Sequence, residues 1–191
     1  MGQLTEIRWH ARAGQGAVTA SKLLAETALM KGSYIQSMPE YGPERTGAPL
    51  RAYSRISSEP IEVHNNIVNP DVVVVLDETL LPIVDVLEGI KPEGTLVINS
   101  AKNRDEIREL VDAGDDIKVA VVDASRIALD TIRRDIPNTP VVGALAHITH
   151  IVSVDDLKEN LIKTFGKKFA REIIDANLES VDRAVGEVQV A

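Results

Sequence analysis

Gly14 and Gly16, which are separated by Gln15, form the first feature of the sequence that could bind a ligand. They stand between an apolar run and a helical pattern, where free backbone N–H groups and the helix dipole favour a phosphate or a carboxylate. Arg12 and Gln15 add a positive charge and an amide to the same turn. The alternative is a tight turn that needs glycine only for positive φ. Thr19 occupies the third glycine position of the dinucleotide-binding pattern, which disfavours bound NAD.

A second segment, residues 38–49, reads MPEYGPERTGAP and is rich in proline and glycine. This composition predicts a loop of fixed shape rather than an ordinary linker. The loop displays an aromatic ring and both signs of charge through Glu40, Tyr41, Glu44 and Arg45. None of these residues is a poised base, so the loop suits recognition better than proton transfer. The alternative is a rigid connection with internal pairing between glutamate and arginine.

Strict alternation of side chains follows in residues 50–56, LRAYSRI. A strand with this sequence places Arg51, Tyr53 and Arg55 on one face. Two guanidinium groups beside a phenol predict a docking surface for phosphate or for the carboxylates of a partner protein. The alternative is the solvent face of an antiparallel edge strand.

Polar residues that directly follow apolar runs are the remaining candidates, namely Asp77, Asn99 and Asp123. Together they could line a crevice at the carboxyl edge of a sheet, although each is also typical of a helix cap or a turn. His147 and His150 are one helical turn apart on an apolar face without a nearby third ligand, so we interpret them as packing residues and predict no metal site. We therefore predict no catalytic residue in this chain.

The composition excludes several classes of protein. The chain has 191 residues, of which 44% are hydrophobic, and 29 acidic against 21 basic residues give a net charge of -8. An acidic chain is an unfavourable binder of nucleic acid. The absence of cysteine excludes disulfides, thiol nucleophiles and cysteine-ligated clusters. Without a bilayer-length apolar run, or the apolar core of a signal peptide in residues 1–12, we expect a cytoplasmic protein that does not bind membranes.

Short apolar runs alternate with helical patterns along the whole chain, which is typical of a layered α/β protein. We predict one three-layer α/β/α domain over residues 1–191, with a mostly parallel sheet. The helix that begins near Asn138 is apolar nearly all round, which predicts burial in the core or at a subunit interface. Its small residues, including Gly143, permit close backbone approach. The predicted strands are 4–10, 33–38, 50–56, 72–76, 95–99 and 117–122, and the other predicted helices are 17–31, 103–112, 124–134, 155–165 and 167–188.

Two motifs together carry a family resemblance: RAGQG at residues 12–16, and PEYGPERTGAP at residues 39–49. With both motifs in place, the sequence resembles the gamma subunits of pyruvate:ferredoxin oxidoreductase, also called pyruvate synthase, along almost its entire length. The family usually has glycine where this chain has Ala11 and Ala13. Related gamma chains belong to enzymes that act on 2-oxoisovalerate, 2-oxoglutarate or indolepyruvate. The sequence of the second motif is closer to the pyruvate and oxoisovalerate branch of the family.

The resemblance implies a subunit of a thiamine-dependent enzyme that converts pyruvate and coenzyme A to acetyl-CoA and reduces ferredoxin. It implies that partner alpha, beta and delta subunits hold the thiamine diphosphate, Mg and iron–sulfur clusters, and that the isolated chain is inactive. The residues expected to contact an anion or coenzyme A are Arg12, Gly14, Gln15 and Gly16. The residues expected at subunit interfaces are Glu40, Tyr41, Glu44, Arg45, Arg51, Tyr53 and Arg55.

The alternative to this subunit role is a free-standing nucleotide-binding protein. It would use residues 14–16 as a phosphate cradle, with Asp77 and Asp123 as the acids of its crevice. This alternative leaves the stiff loop at 38–49 without a function.

Overall fold

A computed structural model describes residues 4–40 and 47–190 of the chain. The strands are β1 Leu4–Arg12, β2 Tyr34–Glu40, β3 Pro49–Ser57, β4 Val72–Val75, β5 Thr95–Asn99, β6 Lys118–Val122 and β7 Gln189–Val190. The helices are α1 Ala17–Met30, α2 Arg104–Leu110, α3 Ala124–Thr131, α4 Asn138–Thr149, α5 Val154–Phe165 and α6 Arg171–Glu187, and a 3-10 turn spans Glu78–Leu80.

The strands form one sheet in the order β2-β3-β1-β4-β5-β6-β7. Strands β1, β4, β5 and β6 run parallel, whereas the β1–β3, β2–β3 and β6–β7 pairs are antiparallel. The α/β class is therefore confirmed, and the parallel arrangement holds at the centre of a mixed sheet. Parallel neighbours need a crossover of roughly a dozen residues or more. The connection between Glu40 and Pro49 is too short for that, so β2 and β3 pair as a hairpin.

Helices cover the two faces of the sheet unequally. On one face α1, α3, α4, α5 and α6 build a large core around Trp9, Leu24 and Leu145. On the other face α2 and the segment after the 3-10 turn cover only β4, β5 and β6, through residues such as Ile98 and Ile107. Because β4, β5 and β6 are covered on both faces, they read as continuous runs of valine and isoleucine in the sequence.

Helix α4 was expected either in the core or at a subunit interface, and it lies in the core, inside the helical layer. It is buried from Thr139 to Ala146. A Cβ atom on Gly143 would lie 3.1 Å from the Cα atom of Val181 in α6, so the predicted close backbone approach is confirmed. The interpretation of His147 and His150 as packing residues was wrong, since both are exposed. The last turn of α4 leaves the core, and His150 ends the helix with a φ of 55°.

Candidate functional site

The glycine turn joins the carboxyl end of β1 to the first turn of α1. Gly14 has a φ of 104° and Gly16 a φ of 83°, both in the left-handed region where a Cβ atom is strained. No side chain of the described residues caps the start of α1. The backbone of Ala13 bonds to Gly47 and to Ala48, so the turn is tied to the chain just before β3. The turn therefore needs glycine for its conformation, and its contact with an anion stays a prediction.

Arg12 is the centre of a hydrogen-bond network beneath this turn. Its Nε donates to Thr79 Oγ1 at 2.8 Å, and its two terminal nitrogens donate to the carbonyls of Gly47 and Thr79. Gln15 accepts from the Arg12 backbone N–H through Oε1 and donates through Nε2 to Asp77 Oδ2 at 2.6 Å. The side chains of Arg12 and Gln15 thus fix the ends of β1 and β4 relative to each other.

Asp77 is held ionised in this network. Burial alone would raise the pKa of Asp77, but hydrogen bonds from Thr79 and Gln15, together with the positive charge of Arg12, outweigh it and lower the pKa below its ordinary value. Asp77 also caps the 3-10 turn through the backbone N–H of Thr79. This carboxylate therefore orders the site and lacks the raised pKa of a general acid.

The N-termini of α1 and α4 meet beside the turn. A Cβ atom on Gly16 would lie 2.8 Å from Nδ2 of Asn138, the first residue of α4. Asp123 caps α3, and Asn99 bonds to the Leu76 carbonyl and to Ser125. The side chains of these two residues therefore have local structural roles: Asp123 caps a helix, and Asn99 links the end of its strand to neighbouring segments.

A second polar surface lies on the face of β2, β3 and β1 opposite the large core. Nine of the residues that alternate outward from that core on these strands form what we call the polar sheet face. They lie in three cross-strand rows. The rows are Glu6, Arg55 and Gln36; Arg8, Tyr53 and Met38; and His10, Arg51 and Glu40.

Arg55 does not lie at the surface of this face, although the alternation pattern predicted a displayed guanidinium. Its side chain is 1% exposed and donates to Glu6 Oε1 at 2.9 Å. It also donates to Gln36 Oε1, to the Val63 carbonyl and to Asn65 Oδ1. The exposed segment 58–66 lies over the guanidinium. Arg55 thus fastens that segment to the sheet, and any contact with a partner would require the segment to move.

Tyr53 and Arg51 differ in exposure. Tyr53 is buried, and its hydroxyl donates to Glu40 Oε2 at 2.7 Å. Burial and this bond raise the pKa of Tyr53. Arg51 is half-buried and Glu40 is exposed, so these two residues form the accessible part of the predicted docking surface. Tyr41, Glu44 and Arg45 lie outside the described residues.

The sequence interpretation missed a buried pair on this face, Arg8 and His10. Arg8 donates from Nε to His10 Nε2 at 3.1 Å, and its Nη2 donates to the carbonyls of both Val86 and Glu88. Burial, then the charges of Arg8 and Arg51, lower the pKa of His10 to about 3. Polar residues at every second position of β1 were the signal that could have found this pair.

His10 makes the stability of the fold depend on pH. Because its pKa is lower in the folded chain than the ordinary value near 6.5, the unfolded chain binds the extra proton first as the pH falls. The contribution of His10 to stability is complete above about pH 6.5 and is lost toward pH 3, at about 1.4 kcal/mol per pH unit. Urea unfolding at pH 7, 6, 5 and 4 should show that His10→Gln reduces this slope, whereas the exposed His147→Gln does not. An unchanged slope for His10→Gln would contradict the assignment.

The described residues offer no metal site: they contain no cluster of three histidine, cysteine or acidic side chains that could hold an ion. Among the same residues, no helix has the length and apolar character to cross a membrane. The arrangement at the glycine turn is suited to binding an anion, and the polar sheet face is suited to polar recognition.

Comparison with known proteins agrees with the motifs. The family model for pyruvate ferredoxin/flavodoxin oxidoreductase matches residues 6–187. Pyruvate synthase subunit PorC of Thermotoga maritima is 50% identical over 184 residues, which cover 96% of this chain and 94% of that protein. The common subunit gamma of the pyruvate/ketoisovalerate oxidoreductases of Pyrococcus furiosus is 43% identical over 177 residues, which cover 91% and 95% of the two chains.

Solved structures show the same relationship. The crystal structure of pyruvate oxidoreductase subunit PORC from Thermotoga maritima superposes with a TM-score of 0.87 at 45% identity and covers 99% of both chains. The 2-oxoglutarate:ferredoxin oxidoreductase of Magnetococcus marinus matches with a TM-score of 0.78 at 22% identity, over 96% of this chain and 31% of that one, which shows a shared fold. The expected resemblance is confirmed, and the chain belongs to the pyruvate ferredoxin/flavodoxin oxidoreductase family.

Proposed function

We propose that this chain is the gamma subunit of a pyruvate:ferredoxin oxidoreductase. The observation that carries the proposal is the match in identity and length to a protein named as a pyruvate synthase subunit. In the overall reaction, pyruvate loses its carboxyl group as CO2, the acyl group joins the thiol of coenzyme A, and two electrons pass to ferredoxin with release of a proton. The chain acts in the cytoplasm as one domain spanning residues 1–191.

The redox and thiamine chemistry belongs to other subunits in this proposal. The chain has no cysteine with which to ligate an iron–sulfur cluster. Thiamine diphosphate with Mg and the clusters are assigned to the alpha, beta and delta subunits, and ferredoxin meets the complex through them. The gamma subunit contributes binding and positioning.

The glycine turn is proposed to receive the phosphates of coenzyme A. The uncapped start of α1 and the left-handed glycines leave backbone N–H groups free of side-chain caps, and a helix N-terminus favours negative charge. Arg12 adds positive charge while its nitrogens hold Thr79 and Gly47. Gln15 fixes the turn through Asp77. The Gln15 N–H donates to the Arg12 carbonyl at 3.1 Å. The contact is therefore assigned to the backbone of Gly14 and Gly16, and Arg12 and Gln15 hold the turn in place.

The subunit interface is proposed to include the accessible end of the polar sheet face. Arg51 and Glu40 are its described residues, with Tyr53 behind them orienting the Glu40 carboxylate. Tyr41, Glu44 and Arg45 are assigned to the same interface from the sequence motif. Arg55 contributes indirectly, because it holds segment 58–66 in place.

Other functions have less support. A second 2-oxoacid, 2-oxoisovalerate, is supported by the name of the Pyrococcus furiosus relative. The free-standing nucleotide-binding alternative is not favoured, because relatives of matching length are named as subunits.

Native purification tests the proposal. The chain should elute in a brown assembly that turns over pyruvate, coenzyme A and ferredoxin, whereas the purified chain alone should be inactive. The rates with pyruvate and with 2-oxoisovalerate identify the 2-oxoacid. A colourless chain that elutes alone and binds nucleotide would overturn the proposal.

A further inference from the structure

A groove lies on the helical side of the molecule, away from the polar sheet face. It has a volume of about 720 Å³ and runs between α1, the loop before α4, and the connection from α5 to α6. Its lining includes Asn138, which lies next to Gly16 of the glycine turn, and also Thr19, Phe169 and Ile173. We call it the basic groove because its rim carries Lys22, Arg134 and Lys168.

The interior of the groove is apolar and partly open to solvent. Phe165 and Phe169 pack edge to face with ring centroids 5.2 Å apart. Phe169 and Ile173 nevertheless remain 46% and 42% exposed, and Ile132 and Ile136 line the opposite wall. Contiguous exposed apolar side chains with a polar rim are typical of a protein–protein contact.

The rim carries positive charge that the described residues neutralise only in part. Arg134 and Lys168 line the groove, and neither forms an ion pair with any described residue. Lys22 and Glu26 also line the groove and pair with each other at 3.6 Å, so the unpaired charge of the lining is positive. The chain as a whole has a net charge of -8, so this corner has the opposite sign to the rest of the protein. Charge of this kind steers and orients an oppositely charged partner.

We propose that the basic groove docks an acidic segment of a neighbouring subunit, with an apolar side chain of that segment between Phe169 and Ile173. Carboxylates of the segment pair with Arg134 and Lys168. The identity of the partner rests on the proposed function of the chain as a gamma subunit. The groove and the polar sheet face lie on opposite sides of the sheet, so the complex holds the subunit from both sides.

Charge reversal on the rim is the first test. Lys168→Glu and Arg134→Glu should each weaken binding of the chain to the rest of the complex at least tenfold, and the loss should shrink at high salt. Lys118→Glu is the matched control, since Lys118 is exposed and has no ion pair within the described part of the chain. It makes the same change in net charge at another site and should leave binding unchanged.

A second pair of variants tests the apolar side of the groove. Ile173→Ser should weaken binding at least tenfold, whereas Leu110→Ser, at an exposed leucine on α2, should not. Melting temperatures of the isolated variants should match that of the unchanged chain. If they do not, the comparison is made with Ile173→Thr.

Cross-linking identifies the occupant. Because the chain has no cysteine, Thr19→Cys gives a single thiol in the lining of the groove that can carry a photoactivated cross-linker, and it leaves Arg134 and Lys168 in place. The expected product joins residue 19 to an acidic segment of another subunit. A product joining two copies of this chain, or unchanged assembly of the groove variants, would overturn the inference and leave the proposed function standing. Failure of the unchanged chain to assemble would refute the proposed function and with it this partner.

Discussion

Replacement of Arg55 by leucine should lower the free energy of unfolding by about 3 kcal/mol. The guanidinium is 1% exposed and pairs with Glu6, so the substitution leaves a partly buried carboxylate without its closest cation. Gln36 Oε1 and the Val63 carbonyl lose their donor at the same time. Lys91 lies 3.5 Å from Glu6 and retains part of the compensation, which places the expected loss at the low end of the range for a broken buried pair.

Urea unfolding measures this loss, and limited proteolysis locates it. Segment 58–66 should become the first site of cleavage in Arg55→Leu, because the bonds from Arg55 to Val63 and Asn65 are gone. The matched control is Arg51→Leu, in the same strand and on the same face. Arg51 is half-buried and forms no ion pair with a described residue, so its replacement should cost less than 1 kcal/mol but weaken assembly of the complex. Equal losses of stability in the two variants would contradict this division of roles.

Substitution of Gly16 by alanine should cost about 2 to 3 kcal/mol of stability. The left-handed backbone at a φ of 83° accounts for roughly 1 to 2 kcal/mol of this loss. The remainder arises because the new Cβ atom would lie 2.8 Å from Asn138 Nδ2. The Asn138 side chain must then rotate, which breaks the bond that its Oδ1 accepts from the Thr139 backbone N–H, worth about 1 kcal/mol.

Two further variants separate backbone strain from this contact. Gly14→Ala carries similar strain at a φ of 104°, but a Cβ atom there meets nothing within 4 Å, so it should cost only roughly 1 to 2 kcal/mol. The double variant Gly16→Ala with Asn138→Ala should lose about 1 kcal/mol less stability than the sum of the losses of the two single variants. Additive losses would show that Asn138 does not restrict residue 16.

The same Gly16 variant tests the functional role of the turn. In the reconstituted complex, Gly16→Ala should raise the KM for coenzyme A at least tenfold and leave the KM for the 2-oxoacid unchanged. A displaced helix N-terminus weakens phosphate binding without touching the carboxylate substrate. Equal changes in both KM values would contradict a specific contact with coenzyme A.

Local patterns determined most of the secondary structure and the glycine turn, but they did not predict strand β7 or the 3-10 turn at Glu78–Leu80. The apolar runs at 72–76, 95–99 and 117–122 became the buried strands β4, β5 and β6, because strands covered on both faces need apolar side chains on both. The small residues of α4 predicted the contact of Gly143 with α6, because only a residue without a Cβ atom allows that approach. The family resemblance also followed from two short motifs, and the matched family model confirmed it.

The environment of the polar residues was decided only by the tertiary structure. Alternation placed Arg51, Tyr53 and Arg55 on one face of β3, yet burial separates them, because segment 58–66 covers Arg55 and leaves Arg51 accessible. His10 became a neutral base because burial, and then the charges of Arg8 and of Arg51 across the strand pair, lower its pKa. Sequence periodicity records which face of a strand a side chain occupies. What covers that face depends on segments distant in the chain, and the fold alone brings them together.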